Sequence, residues 1–125
     1  MRHPVKASID KFSQLLDLQL APGMQDWEVQ CADPARTIEF LACYDQHAQS
    51  DDDKFTLMAL ILGSFEAYHD TIPPSETDWA AIRQRLISDI EIHRDHITYY
   101  GCPETDDPAE WLFPITPLIR TLLDA

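Results

Sequence analysis

The chain has 125 residues, of which 22 are acidic and 9 are lysine or arginine, and its formal net charge is −13. A surface this acidic repels nucleic-acid phosphates and anionic membranes, which excludes both as partners, and it attracts basic protein surfaces. The length fits one domain, and the apolar share of 45% is typical of a folded core rather than of disorder. We therefore predict a single domain over residues 1–125.

The cysteines and the hydropathy pattern indicate the compartment. Cys31, Cys43 and Cys102 are odd in number and widely spaced, which favours reduced thiols over a disulfide framework. Charged residues interrupt the first twenty positions, so no signal peptide is expected. The longest apolar run, Leu57 to Leu62, is far shorter than the roughly 20 residues that a membrane-spanning helix needs. These features predict a soluble cytoplasmic protein.

The first quarter of the chain predicts one helix followed by a loop. Pro4 fits the first turn of a helix, and the apolar residues after it recur at helical spacing. They are Val5, Ile9, Phe12, Leu15 and Leu16. Ala21-Pro22-Gly23 should end this helix. The segment from Met24 to Ala32 is expected to be a packed loop, because a single short strand would have no partner.

Two further helices are predicted before residue 70. Asp33-Pro34 should begin a helix that fades near Gln49, with an apolar side made of Ile38, Leu41, Ala42 and Tyr44 or Asp45. Ser50 and the acid run Asp51, Asp52 and Asp53 should begin the next helix, because carboxylates favour the positive end of a helix dipole. That helix, about Asp52 to Tyr68, is apolar on most of its circumference and is predicted to be the central element.

The second half of the chain predicts a long helix, a short turn and a terminal helix. Thr71 to Pro74 should end the central helix, and Ser75 or Thr77 should cap a long helix from Asp78 to Tyr100. Its apolar stripe is Trp79, Ile82, Leu86, Ile90, His93 and Ile97. Gly101 is predicted to terminate it in the left-handed conformation. Asp107-Pro108 should begin a short turn through Trp111 to Phe113, and Thr116-Pro117 should begin a terminal helix that ends near Leu123. The fold class is therefore all-α, a compact bundle of about five helices.

Histidines and carboxylates on the helices offer two candidate metal sites. Asp89, His93 and His96 share one helix face at spacings suited to zinc or non-haem iron. Because His93 belongs to the apolar stripe, a hydrogen-bonded core histidine is the favoured interpretation. Glu66 and His69 match the Glu-x-x-His spacing of di-iron bundles, but such sites need two copies and only one is present. We predict neither a metal nor another cofactor.

Nucleophilic catalysis and phosphate binding have little support in the sequence. Cys43 and His47 are four residues apart and would place a thiol beside an imidazole, yet no glycine-rich turn accompanies them. Three glycines in the whole chain do not build a phosphate-binding loop. The arginines Arg83, Arg85 and Arg94 alternate with acids, so no basic patch for nucleic acid forms. We therefore predict that the chain is not an enzyme.

The remaining candidate is a surface that combines acidic and aromatic residues. Aromatic anchors with carboxylates around them suit a basic partner, because the rings supply buried area and the charges speed encounter. The candidate partner-binding residues are Tyr99, Tyr100, Glu104, Asp106, Asp107, Glu110 and Trp111, with Asp51, Asp52 and Asp53 as a second acidic group. The alternative is that the rings are core and the acids are solvated or capping.

In size, acidity and the lack of a catalytic motif, the whole chain resembles the immunity proteins of bacterial toxin–immunity pairs. The resemblance is one of type, carries no diagnostic motif and implies no particular site residue. It implies a monomer or weak homodimer that neutralises a basic toxin by covering its active or substrate-entry face. Two alternatives remain open: a metal protein or enzyme using Asp89, His93 and His96, and a structural or regulatory subunit of a larger assembly.

Overall fold

The protein is described from a computed structural model, which covers residues 1–19, 26–67 and 75–125. Within these ranges the regular structure is entirely helical. The α-helices are α1 Lys6–Leu15, α2 Trp27–Gln30, α3 Thr37–His47, α4 Asp51–Glu66, α5 Glu76–Ser88, α6 Ile90–Gly101 and α7 Thr116–Arg120. Five of them have ten residues or more, which confirms the all-α class and the prediction of about five helices.

The chain forms two compact units, Met1–Ala67 and Tyr68–Ala125. The first unit contains α1 to α4, and the second contains α5 to α7. The single domain predicted over residues 1–125 stays a prediction. Among the described helices, none combines the length and the apolar character that crossing a membrane requires.

Helix α4 organises the first unit, as its composition predicts. It contacts α1, α2 and α3, and its side chains from Leu57 to Leu62 are almost completely inaccessible to solvent. Ser50 is the N-cap, and its hydroxyl accepts a hydrogen bond from the Asp53 amide at 3.1 Å. A helix that is apolar around its whole circumference is stable only when neighbours surround it. The predicted end at Tyr68 lies outside the described residues.

The smaller helices of the first unit depart from the predictions. Residues 27–30 form the short helix α2 instead of a loop, because the Trp27 indole is buried and donates to Ser13 Oγ at 3.2 Å. Helix α1 ends at Leu15, before the predicted stop at residues 21–23, which is outside the described residues. Asp17 follows it with a φ of 54°, in the left-handed region where the helix cannot continue.

The buried face of α3 is only partly the predicted one: Leu41 and Tyr44 are buried as expected, but Ile38 and Ala42 are exposed. Asp33 and Pro34 do begin a helical segment, but as a 3-10 turn, Pro34–Arg36, that leads into α3. The buried residues of α3 are Thr37, Phe40, Leu41, Cys43 and Tyr44, whereas Ile38 is 59% exposed. A face centred on Ile38 would leave the larger Phe40 ring in water, so burying Phe40 and Tyr44 removes more apolar area.

In the second unit, the predicted long helix from Asp78 to Tyr100 is two helices. Ser75 caps α5 by accepting from the Asp78 amide, but the helix is interrupted at Asp89, whose φ of −117° and ψ of 39° are not helical. Ser and Asp are weak helix formers that compete for backbone hydrogen bonds, and they occupy positions 88 and 89. The Asp89 carbonyl then accepts from the amides of Ile92 and His93 to begin α6.

The end of α6 corrects one prediction, and the start of α7 confirms another. Gly101 is still helical, and the left-handed residue is Cys102, with a φ of 46°. Gly101 packs closely against the C-terminal segment, since a Cβ there would lie 3.1 Å from Leu123 Cδ2. Thr116 and Pro117 begin α7, as predicted, and Ile115 is the N-cap. The buried hydroxyl of Thr116 donates to the Tyr100 carbonyl at 2.7 Å and joins α7 to α6.

Candidate partner-binding surface

The acidic loop, residues 103–112, follows α6 and carries five of the predicted binding residues. Its local shape comes from short polar side chains. Asp107 accepts from the Ala109 amide at 3.0 Å, as expected before Pro108, and begins the 3-10 turn Pro108–Glu110. Thr105 Oγ1 accepts from the Asp107 amide at 3.1 Å. The loop is therefore a structured turn with its own hydrogen bonds.

Arg120 of α7 contacts both the backbone and the side chains of the acidic loop. Its Nη1 donates to the carbonyl oxygens of Gly101, Cys102 and Thr105 at 2.8 to 3.0 Å, and its Nη2 donates to Asp106 at 2.6 Å. The guanidinium also lies over the Trp111 ring, 4.8 Å from its centroid. One side chain thus fixes the end of α6, the middle of the loop and its aromatic residue.

Aromatic rings form the base of this surface. Tyr99, Tyr100 and Phe113 are in mutual contact, with ring centroids 4.8 to 5.1 Å apart. Tyr100 is buried, whereas Tyr99 is 57% exposed. Trp111 is half-buried, and its indole donates to the Thr105 carbonyl at 3.2 Å. Tyr100 is therefore a core residue, and Tyr99 is the ring that is open to solvent.

The carboxylates of the loop are all exposed: Glu104, Asp106, Asp107 and Glu110. Over the described ranges, only Asp106 of these four is in an ion pair, with Arg120. Leu112 stands beside them with 73% of its surface exposed, although leucine is normally a core residue. The surface therefore combines uncompensated negative charge with apolar side chains that water can reach.

The second predicted acidic group, in the first unit, is divided by the structure. Asp51 and Asp52 are exposed in the first turn of α4, as expected for residues that complement the helix dipole. Asp53 is only 8% exposed and accepts hydrogen bonds from Lys11 Nζ at 2.6 Å, Ser8 Oγ at 2.7 Å and the Gln49 amide at 3.3 Å. Asp53 thus links α1 to α4 inside the unit and is not available to a partner.

Burial and hydrogen bonding shift the pKa of Asp53 in opposite directions. Burial by itself raises the pKa of a carboxyl group, but the hydrogen bonds from Lys11, Ser8 and Gln49 together lower the pKa of Asp53 below its ordinary value of 3.8. The carboxylate is therefore held in its charged form inside the unit.

The histidines of α6 are core residues. His93 and His96 are both buried, and their ring centroids lie 5.7 Å apart. In the described part of the chain, no three His, Cys, Asp or Glu side chains are arranged to hold a metal ion, and Asp89, His93 and His96 all belong to that part. Of the other candidate pair, Glu66 is half-buried at the end of α4, and His69 is outside the described residues.

Cys43 and His47 do not form an activated nucleophile. Cys43 is buried, and that burial raises the pKa of its thiol, which favours the unreactive protonated form. His47 is exposed, and its carbonyl oxygen accepts from Lys11 Nζ at 2.8 Å.

Two residues of the surface were missed by sequence reasoning. Nothing in the sequence pattern distinguishes Leu112 from a buried leucine. Arg120 did leave a signal, because it is the one basic residue after Arg94 in a segment rich in acids. A lone cation after an acid cluster is a candidate for contact with that cluster.

Comparison of the chain with protein-family models, curated proteins and solved structures gives no match.

Proposed function

We propose that this chain is a binding protein that captures a basic protein partner through the acidic loop and Tyr99. The observation that carries the proposal is the exposure of Leu112 and Tyr99 beside four exposed carboxylates. Apolar side chains surrounded by charges of one sign are typical of a protein–protein contact rather than of an inert surface.

Charge complementarity argues for the chemical class of the partner. Nucleic acids and anionic membranes are repelled by four clustered carboxylates, and so is a second copy of a chain with a net charge of −13. A basic protein with an apolar patch is complementary both to the carboxylates and to the apolar side chains of this surface. The carboxylates accelerate its encounter, and Leu112 and Tyr99 lose their contact with water in the complex.

The energetic roles of the two kinds of residue differ. Full burial of a leucine side chain contributes roughly 1.5–3 kcal/mol, so Leu112 is expected to be an anchor. Exposed carboxylates such as Glu104 and Glu110 contribute more to the association rate than to the final affinity. The surface is therefore expected to bind fast at low salt and to release slowly once Leu112 is covered.

In this proposal the partner is a toxin, and the carboxylates cover the basic face with which the toxin holds its substrate. This is the mode of action implied by the resemblance to immunity proteins. The proposal places the protein in the reducing cytoplasm, which agrees with an odd number of widely spaced cysteines in the sequence.

The test is a titration with the protein encoded by the gene adjacent to this one, followed by biosensor or calorimetric measurement. We expect a 1:1 complex whose association rate falls as salt rises. Leu112→Ala should weaken binding about tenfold or more, because its anchoring area is lost. Glu104→Gln with Glu110→Gln should slow association and flatten its salt dependence.

The matched control removes the same charge from the other unit. Asp51→Asn with Asp52→Asn also removes two exposed carboxylates, at the start of α4. If both double variants slow association equally, the effect is not specific to the acidic loop, and the proposal that this loop is the binding surface is overturned. Absence of binding at low salt overturns the proposal.

A further inference from the structure

We infer that Arg120 is the positioning residue of the binding surface: it holds the acidic loop in the shape that the partner recognises. This inference rests on the proposed function and adds to it a residue that does not itself contact the partner. The Arg120 side chain is 18% exposed, so most of it lies under the loop rather than on the surface.

The contacts of Arg120 are those of a guanidinium and cannot be reproduced by an ammonium. Two nitrogens of the group reach four oxygens, on Gly101, Cys102, Thr105 and Asp106, while its planar face lies over Trp111. Lysine offers a single compact charge without the fork or the stacking plane. Arg120→Lys should therefore keep the charge and lose the geometry.

The loop needs such a contact for two physical reasons. The last carbonyls of a helix have no partner within the helix, and Arg120 supplies donors to those of Gly101 and Cys102. Four carboxylates in a short segment also repel one another, which favours an open loop. A loop that is already ordered loses less entropy when it binds, and this raises affinity mainly through a slower dissociation rate.

The positioning role and a simple charge effect predict opposite results. Removing the positive charge of Arg120 makes the surface more acidic, so on charge alone Arg120→Gln would bind a basic partner more tightly. If Arg120 positions the loop, the same variant binds more weakly despite its extra negative charge. The sign of the change in Kd therefore separates the two explanations.

The experiment compares wild type, Arg120→Gln and Arg120→Lys with Arg94→Gln as the matched control. Arg94 is in the same unit and carries the same charge, but it pairs with Glu91 and does not reach the loop. The ligand is the protein encoded by the adjacent gene. We expect both Arg120 variants to raise Kd about tenfold or more through faster dissociation, and Arg94→Gln to bind as wild type or more tightly.

A second measurement follows the loop without a partner. Amide hydrogen exchange over residues 103–111 should be faster in both Arg120 variants and unchanged in Arg94→Gln, while exchange in α4 stays slow. If Arg120→Gln does not fold, the affinity and the loop exchange of Arg120→Lys test the inference. This inference alone is overturned if the wild type binds and the Arg120 variants bind with the same affinity. It is also overturned if hydrogen exchange in the loop does not change in those variants. Failure of the wild type to bind overturns the proposed function, and this inference with it.

Discussion

The two units of the chain carry nearly the same charge but use it differently. The first has 11 acidic and 5 basic residues, a net charge of −6, and the second has 11 and 4, a net charge of −7. In the first unit a carboxylate, Asp53, is buried and paired with Lys11. In the second, four carboxylates are gathered on one exposed loop. Net charge is therefore nearly the same in the two units, and only the placement of the charges distinguishes them.

The units also differ in how their cores are built. The first is packed around α4, which neighbours cover on nearly all sides. The second packs the two halves of an interrupted helix and the C-terminal segment, where Ile115, Ile119 and Leu122 are buried. Next to this core, Arg120 makes polar contacts with the acidic loop. We expect the stability of the first unit to depend mostly on apolar contacts. We expect the order of the loop in the second unit to depend on the contacts of one charged side chain.

The largest effect is expected from Leu60→Ala in α4. Leu60 is fully buried, and leucine-to-alanine changes at such sites cost about 3–5 kcal/mol because a cavity remains. Denaturant unfolding monitored by circular dichroism measures the loss. Ile38→Ala on the exposed side of α3 is the control and should change the unfolding free energy by less than about 0.5 kcal/mol. A similar cost at both positions would contradict the central role of α4.

The second prediction compares one glycine from each unit. Gly63→Ala would place a Cβ against the backbone carbonyl of Glu28 in α2, which cannot move without shifting that helix. We expect a cost of about 2–3 kcal/mol. Gly101→Ala instead meets the flexible end of Leu123 and gains helix propensity, so the two effects should nearly cancel.

Unfolding measurements on both glycine variants test the comparison. Equal effects of the two substitutions would contradict the comparison, because the Cβ at position 63 would then cost no more than the Cβ at position 101.

The third prediction concerns the buried carboxylate of the first unit. Asp53→Asn should destabilise the protein by about 2 kcal/mol at neutral pH, because hydrogen bonds to a charged group are lost. Since folding lowers the pKa of Asp53, its contribution is complete above the ordinary value of 3.8 and is lost as pH falls through the lower, folded-state value. The difference between wild type and variant should therefore shrink on acidification.

Unfolding free energies at about pH 7 and about pH 3 measure this change. Glu39→Gln is the control, because Glu39 pairs with Arg36 on the surface, where such pairs contribute little. A difference for Asp53→Asn that stays constant with pH would mean that its carboxylate does not stabilise the fold through its charge.

Helices and their caps were predictable from sequence because their causes are local. Ser50 and Ser75 cap the helices that follow them, and the apolar run from Leu57 to Leu62 required burial on all sides. These features depend on residues within one or two helical turns. The candidate loop was likewise located by its acids, its aromatic residues and its proline, all close together in the chain.

Most features that departed from the predictions depend on residues far apart in sequence. The buried face of α3 includes Phe40 and leaves Ile38 exposed, against the sequence pattern. The close neighbour of Gly101 is Leu123, which lies in the C-terminal segment. The break of the long helix at Asp89 is local, but the apolar stripe from Trp79 to Ile97 continues through it, so periodicity alone does not reveal two helices.

The sequence by itself determined an all-helical, strongly acidic chain and the segment in which acids and aromatic residues meet. The tertiary structure decided which of those residues reach solvent: it buried Tyr100 and Asp53, exposed Tyr99 and Leu112, and brought Arg120 under the loop. The reason is that helix formation is governed by neighbours along the chain. Burial and charge pairing are governed by neighbours in space, and Arg120 and Asp106 come together only when α7 packs against α6.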